Sequence, residues 1–151
     1  MKLYNITRYN QEIEKEMAAV YGKPYSFFEK LKLGGVGSPR MFYLSGIKEL
    51  DDLIYLNQPP ITLIEMLRES IFFHIHTNPN AQHYVWALKK DEVKIISNSL
   101  KLEKATTLSI DTQSLHTIAF SFQDNTAIFG YKPQIHNPII NYLKKHHLIN
   151  P

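Results

Sequence analysis

Cysteine is absent from the 151-residue chain. Disulfides and thiolate metal sites are therefore excluded, and thiol usage says nothing about redox compartment. Glycine is scarce, and no low-complexity run, internal repeat or long charged tail occurs, so disorder is not expected beyond the termini. No run approaches the ~20 apolar residues of a membrane span. The N-terminal stretch MKLYNITRYNQEIEKEM carries early acidic residues and no apolar core of signal-peptide length. A soluble, cytoplasmic protein is the expectation. Charge of one sign is also in short supply. The net charge is +3, but the lysines are scattered, whereas nucleic-acid binders gather them on one face. The one compact basic group is Lys144-Lys145 with His146-His147, where a last helical turn favours cations. Nucleic acid and membrane are thus not expected as partners.

What is present is an ordinary globular balance, 44% hydrophobic and 21% charged, suited to a single domain over residues 1–151. Its densest patterning lies between Ile61 and Leu88. In SIFFHIHT, Ile71, Phe73 and Ile75 alternate with Phe72, His74 and His76; in HYVWAL, Tyr84, Trp86 and Leu88 alternate with His83, Val85 and Ala87. Period-two alternation marks half-buried strands, and Thr77 to Gln82 between them is turn-forming. A hairpin pairing His76 with His83 puts Ile71, Phe73, Ile75, Tyr84, Trp86 and Leu88 on a core face. His74, His76 and His83 take the other. Upstream, Thr62 with Glu65 reads as a helical capping box. A two-residue turn at Arg68-Glu69 would instead align Thr62, Ile64 and Met66 with the core face, and that agreement favours a strand.

Residues 1–58 read as mainly helical. Asn10 caps a helix to Tyr21 carrying Ile13, Met17 and Val20, which Gly22 and Pro24 stop. Ser26 and Glu29 open a short helix with Phe27, Phe28 and Leu31 as its apolar side. Met41 to Leu44 is strand-like, and Ser45 caps a helix to about Leu56. Residues 61–148 read as β-rich with a C-terminal helix. Val93–Ser97, Leu100–Leu102, Leu108–Ile110, His116–Phe122 and Ala127–Tyr131 follow as strands, and Asn137-Pro138 opens the last helix, with His147 continuing its apolar stripe. The expected class is α+β: N-terminal helices packed on an antiparallel β-sheet or small barrel of about six to seven strands, closed by the C-terminal helix. In element order, over Ile61 to Leu148, this resembles the pleckstrin-homology-like layout. The basic cluster of that family's phosphoinositide-binding members is absent from the first hairpin turn, which holds Arg68 beside Glu69.

Two groups of residues offer candidate sites. His74 and His76, two apart on a strand, share a face with His83 across the hairpin, and imidazoles so placed suit a divalent transition metal. The arrangement resembles the way cupins set metal-binding histidines inside a barrel. The glutamate and framing glycines of that pattern are missing, and His136 would be a fourth ligand. Gly35, Gly37 and Arg40, in the loop GGVGSPR, form a candidate anion or ligand loop, without the spacing of a dinucleotide fingerprint or P-loop. No serine or threonine sits in a nucleophile elbow, and Asp51-Asp52 and Asp91-Glu92 read as polar turns. With no convergent catalytic set, the leading reading is a non-catalytic binding or interaction module without a cofactor. Its ligand would be a protein, a peptide or a small apolar molecule. The alternative is a metal-binding protein or metal-dependent enzyme using His74, His76 and His83.

Overall fold

The computed structural model describes residues 2–52, 59–77, 81–101 and 115–149. The element order is β1 (Lys2–Asn5), α1 (Gln11–Tyr21), α2 (Phe27–Lys32), β2 (Met41–Ser45), α3 (Lys48–Asp51), β3 (Ile61–Met66), β4 (Ser70–His76), β5 (His83–Lys89), β6 (Val93–Lys101), β7 (His116–Phe122), β8 (Asn125–Tyr131) and α4 (His136–Lys145). Among the described residues, eight strands join one antiparallel sheet in the order β1-β5-β4-β3-β2-β8-β7-β6. The α+β class is as expected, with β1 and β6 as the two ends of the ladder among the described residues. No helix among the described residues is long and apolar enough to cross a membrane.

The central hairpin has the register that alternation predicts. His76 pairs with His83 and Phe73 with Trp86. Residues Ile61 to Met66 are strand, not helix, pairing Ile64 with Phe73 and Met66 with Ile71. The turn at Arg68-Glu69 is closed by the Leu67 N–H on the Ser70 carbonyl at 2.9 Å. The core face of this hairpin is buried throughout. The sheet also coils. Phe73 on β4 and Phe120 on β7 lie four strand steps apart in the ladder, roughly 19 Å on a flat sheet. Their ring centroids are only 4.9 Å apart, and Phe129 of β8 stacks on Phe73 at 5.1 Å. One apolar core therefore fills the concave side. α4 closes on it with Ile139, Tyr142 and Leu143.

The opposite, convex side carries a second, smaller core. Tyr4, Leu67, Phe72, Val85 and Ala87 are buried there under Tyr21, with Ile13 and Met17 of α1 packed against them. Asn10 caps α1 as expected, accepting from the Glu12 and Ile13 amides. Val20 departs from the expected stripe and is exposed.

Other elements depart from the sequence reading for local reasons. β1 is an added strand at the β5 edge, and β2 pairs with both β3 and β8. Residues 2–52 therefore contribute two strands to the same sheet besides the helices α1, α2 and α3. Ser45 caps nothing: it belongs to β2, and α3 starts at Lys48 without a side-chain cap. The buried Tyr43 hydroxyl takes that place, accepting from the Ile47 amide at 2.6 Å and donating to Asp51 Oδ1 at 2.7 Å. Asp51 is thus a structural acceptor, and burial raises the Tyr43 hydroxyl pKa, with Asp51 adding to it. Val93 to Lys101 is one strand with register shifts rather than two strands. α4 begins at His136, two residues before Pro138, after a 3₁₀ turn at Pro133–Ile135. It stops at Lys145, because His147 takes a left-handed conformation (φ +58°). The amides of His147 and Leu148 then reach back to the Lys144 and Leu143 carbonyls, a Schellman closure. His147 consequently leaves the apolar stripe and is exposed. The expected helix residues 53–56, the turn at 78–80, the strand residues 102 and 108–110 and the turn at 111–114 lie outside the described residues.

Candidate functional site: the histidine row on the convex face

The three histidines lie where α1 does not cover the hairpin. On β4 and β5, Phe72, Val85 and Ala87 are under Tyr21, whereas His74 and His83 are half-buried and His76 is exposed. This is the outside of the coiled sheet, opposite Trp86. A cupin-like interior placement is therefore not what the fold makes.

Register explains the contacts. His76 and His83 are direct cross-strand partners, and their rings stack with centroids 4.1 Å apart. His74 is diagonal to His83, and its Nδ1 lies 2.9 Å from His83 Nε2. Its other nitrogen, Nε2, lies 3.2 Å from Glu65 Oε2 on β3. Glu65 shares the outward parity because Ile64 and Met66 point inward. The hydrogen bond from His74 holds the Glu65 carboxyl below its usual pKa, so it is ionised at neutral pH and can only accept. A neutral His74 that donates Nε2–H to this carboxylate has Nδ1 free to accept from His83 Nε2–H. The result is a fixed line, Glu65, His74, His83, with His76 stacked at its end.

Both nitrogens of His74 are thus committed to protein partners. Among the described residues no group of three or more His, Asp or Glu is placed to hold a metal ion. His136 joins a different group. Its Nδ1 is 2.9 Å from the Tyr131 hydroxyl and its ring 5.0 Å from His116. Glu65 is the residue that sequence reasoning passed over. The inward assignment of Ile64 and Met66 already put it on the face of His74.

The row makes a pH prediction. Desolvation, then His76 and His74, push the His83 pKa down to about 4, and desolvation also lowers that of His76. His146, half-buried and near Lys145 and Lys90, is likewise lowered to about 4, first by desolvation and then by those charges. The unfolded chain therefore binds protons that the native state refuses between about pH 6.5 and 4. Their contribution is intact above pH 6.5 and is lost as pH falls through that window. For these partly exposed groups the loss is on the order of 1 kcal/mol after solvent screening. Urea midpoints across that window should fall with acid, and His83→Gln should flatten the slope. A flat wild-type profile would contradict this geometry.

The glycine loop is occupied by structural bonds. Gly34, at φ +68°, and Gly35, at φ +93°, end α2. Their amides go to the Leu31 and Lys30 carbonyls at 3.0 and 2.8 Å. The Gly35 carbonyl accepts from Lys145 Nζ at 3.1 Å. Beyond it, Val36 and Ser38 pair with Met66 and Ile64, and Gly37 bridges to Glu65. The Tyr142 hydroxyl donates to the Val36 carbonyl at 2.7 Å. The loop thus ties α2, β3 and α4 together, its Gly34 and Gly35 amides are not available to an anion, and Arg40 is exposed beside it.

The chain matches no protein-family model, no curated protein and no solved structure.

Proposed function

We propose that the chain is a non-catalytic interaction module that docks a protein partner through α2. One observation carries this. α2 buries none of its residues, and Phe27, Phe28 and Leu31 are 70%, 74% and 61% exposed, although the sequence pattern predicts an apolar side packed inward. Six residues are too few for a helix to persist unaided, yet this one is held at every point. Ser26 and Glu29 form the expected capping box, the Gly34-Gly35 closure ends it, Lys145 pins that closure, and Arg68 pairs with Glu29. The fold thus fixes a helix whose large side chains add nothing to its own core. Each such side chain offers roughly 1.5–3 kcal/mol when fully buried, and the ordering cost of the helix backbone is already met. Lys23, Lys30 and Lys32 surround it while Glu29 is neutralised by Arg68, so the partner that fits is a protein with an apolar cleft and an acidic rim.

The layout supports the same class of reading. The order β5-β4-β3-β2-β8-β7-β6, followed by α4, is consistent with a pleckstrin-homology-like small barrel starting at β2, earlier than Ile61, with α4 at one opening. Such a scaffold presents surface elements on a rigid frame.

A photo-crosslinking residue at position 28, in cells of the source organism, tests the docking. One protein should be captured, and the purified pair should bind in a salt-weakened manner. Phe27→Ser with Phe28→Ser should reduce that binding at least about tenfold, as for an interface anchor, while the urea midpoint holds, since exposed positions contribute within ~0.5 kcal/mol. Unchanged binding in the double variant would sink the proposal. Retention on phosphatidylserine vesicles that the double variant abolishes, with no protein captured, would replace it with a membrane surface.

A further inference from the structure

β1 ends the sheet ladder, and among the described residues no strand pairs with its outer edge. The register fixes where its main-chain groups point. The Ile6 N–H donates to the His83 carbonyl at 2.8 Å, and the ladder continues with Asn5 opposite Tyr84, Tyr4 opposite Val85 and Leu3 opposite Trp86. Antiparallel pairs alternate between hydrogen-bonded and non-hydrogen-bonded. Tyr4 and Lys2 therefore turn their N–H and C=O groups to β5, while those of Leu3 and Asn5 point away from it. The other side of β5 agrees. The Thr77 N–H on the Gln82 carbonyl turns Gln82, Tyr84 and Trp86 toward β4 and leaves His83, Val85 and Ala87 for β1. Bare edges are commonly blunted by proline, a bulge or an inward charge. β1 has no proline and no register shift. Its one charge, Lys2, shares the convex side with Tyr4 and is paired with Glu16. Leu3 and Asn5 also border an open groove of about 440 Å³ with Ile47, Glu49 and Tyr84. The groove is on the concave side, where Leu3, Ile47 and Tyr84 pack with the main core.

We infer that the β1 edge takes an extended peptide of another protein as a further antiparallel strand, with an apolar side chain and a Lys or Arg at alternate positions. The main-chain groups of Leu3 and Asn5 hold the strand, and the groove chooses its sequence. Directly opposed residues of an antiparallel pair put their side chains on one face. The peptide residues opposite Leu3 and Asn5 therefore send their side chains into the groove. An apolar one meets Leu3, Ile47 and Tyr84. A cationic one meets Glu49, which is exposed and has no ion-pair partner among the described residues. A second copy of the chain fits less well. Its own β1 would have to present Leu3 and Asn5, the residues with outward main-chain groups. Lys2 would then lie on the opposite face, and Glu49 would gain no cation. The edge is a different place from α2 and from the histidine row, and it does not depend on docking through α2.

The peptide acetyl-Thr-Val-Thr-Lys-Thr-Val-Thr-amide carries this pattern and serves as the probe. Titrated into the whole chain, it should move the Leu3 and Asn5 amide protons downfield in a ¹⁵N–¹H spectrum and slow their exchange with solvent. N-methylation of its valines and lysine removes the N–H groups that face β1 and should weaken binding at least ~tenfold. N-methylation of the two threonines beside the lysine blocks groups that face away, and affinity should stay within about twofold. Replacing the lysine by glutamate should weaken binding about three- to fivefold, as for an exposed ion pair. Glu49→Gln should remove that preference. The Phe27→Ser, Phe28→Ser double variant should bind the peptide as the wild type does, which keeps this result separate from docking through α2. Leu3 and Asn5 amides that stay unmoved at ~1 mM peptide, the weak end of specific binding, would overturn the inference. Equal losses from the two N-methylation patterns would do the same. A dimer in sedimentation with the Leu3 and Asn5 amides already protected would replace the peptide with a second copy.

Discussion

Phe73→Ala should lower the stability of the protein by ~3–5 kcal/mol, the upper range for aromatic truncation in a core. The effect should appear in urea unfolding as a lower midpoint with an unchanged slope. Phe73 has no exposed surface, and it touches three aromatic rings from three strands. Trp86 of β5 lies 5.1 Å away, Phe120 of β7 4.9 Å, and Phe129 of β8 stacks at 5.1 Å. The Phe120 and Phe129 contacts hold the coil of the sheet, because they join strands that the hydrogen-bond ladder keeps apart. Truncation removes the apolar burial and leaves a void lined by rings on a rigid sheet, which collapses poorly. A total stability of about 5–15 kcal/mol is usual, so the loss is a large share of it. Phe72→Ala, one residue away on the convex face, removes a ring that is not fully buried and should cost less. Equal effects at the two positions would mean that the sheet is not coiled as described.

Gly46→Ala should be worse still, preventing folding or costing more than about 4 kcal/mol, the exceptional end of single substitutions. Gly46 has φ +112°, and a Cβ there would lie 1.8 Å from the Thr126 carbonyl oxygen and 2.8 Å from the Ala127 Cα. Both obstacles are β8 backbone, which no side-chain rotation relieves. The strained backbone conformation adds ~1–2 kcal/mol for any L-residue. Position also matters. The β2–β8 pairing, with its register shift between Tyr43 and Ser45, is the seam joining strands β1-β5-β4-β3-β2 to β8-β7-β6. Moving β8 aside to admit a methyl group opens that seam. Gly37→Ala is the matching control. Nothing lies within 4 Å of its Cβ position, so stability should stay within ~1 kcal/mol. A soluble Gly46→Ala protein with the wild-type midpoint would show that β2 does not cross β8 so closely.

The histidine row illustrates how much of the site was legible. Alternation around Trp86 suffices to place His74, His76 and His83 together on the outer face, since side-chain period two leaves no other choice once the core face is set. It could not show that His74 turns one nitrogen to Glu65 and the other to His83. Those bonds depend on side-chain rotamers and on the stagger of three strands. They turn an expected open ligand set into a hydrogen-bonded line. The glycine loop is a similar case. Its lack of a dinucleotide or P-loop spacing was readable, but the use of Gly34, Gly35 and Lys145 to close and pin α2 brings together residues over a hundred positions apart.

Local order alone settled the antiparallel class, the His76–His83 register, the Asn10 and Ser26 helix starts and the burial of Trp86. Each rests on periodicity or on hydrogen bonds spanning a few residues, which short-range chemistry dictates. The tertiary structure decided that β1 completes the β5 edge, that Tyr43 rather than Ser45 organises α3, and that Phe27 and Phe28 face outward. These depend on which distant surfaces meet when the sheet coils, and a pattern read along one chain carries no distance between segments far apart in it.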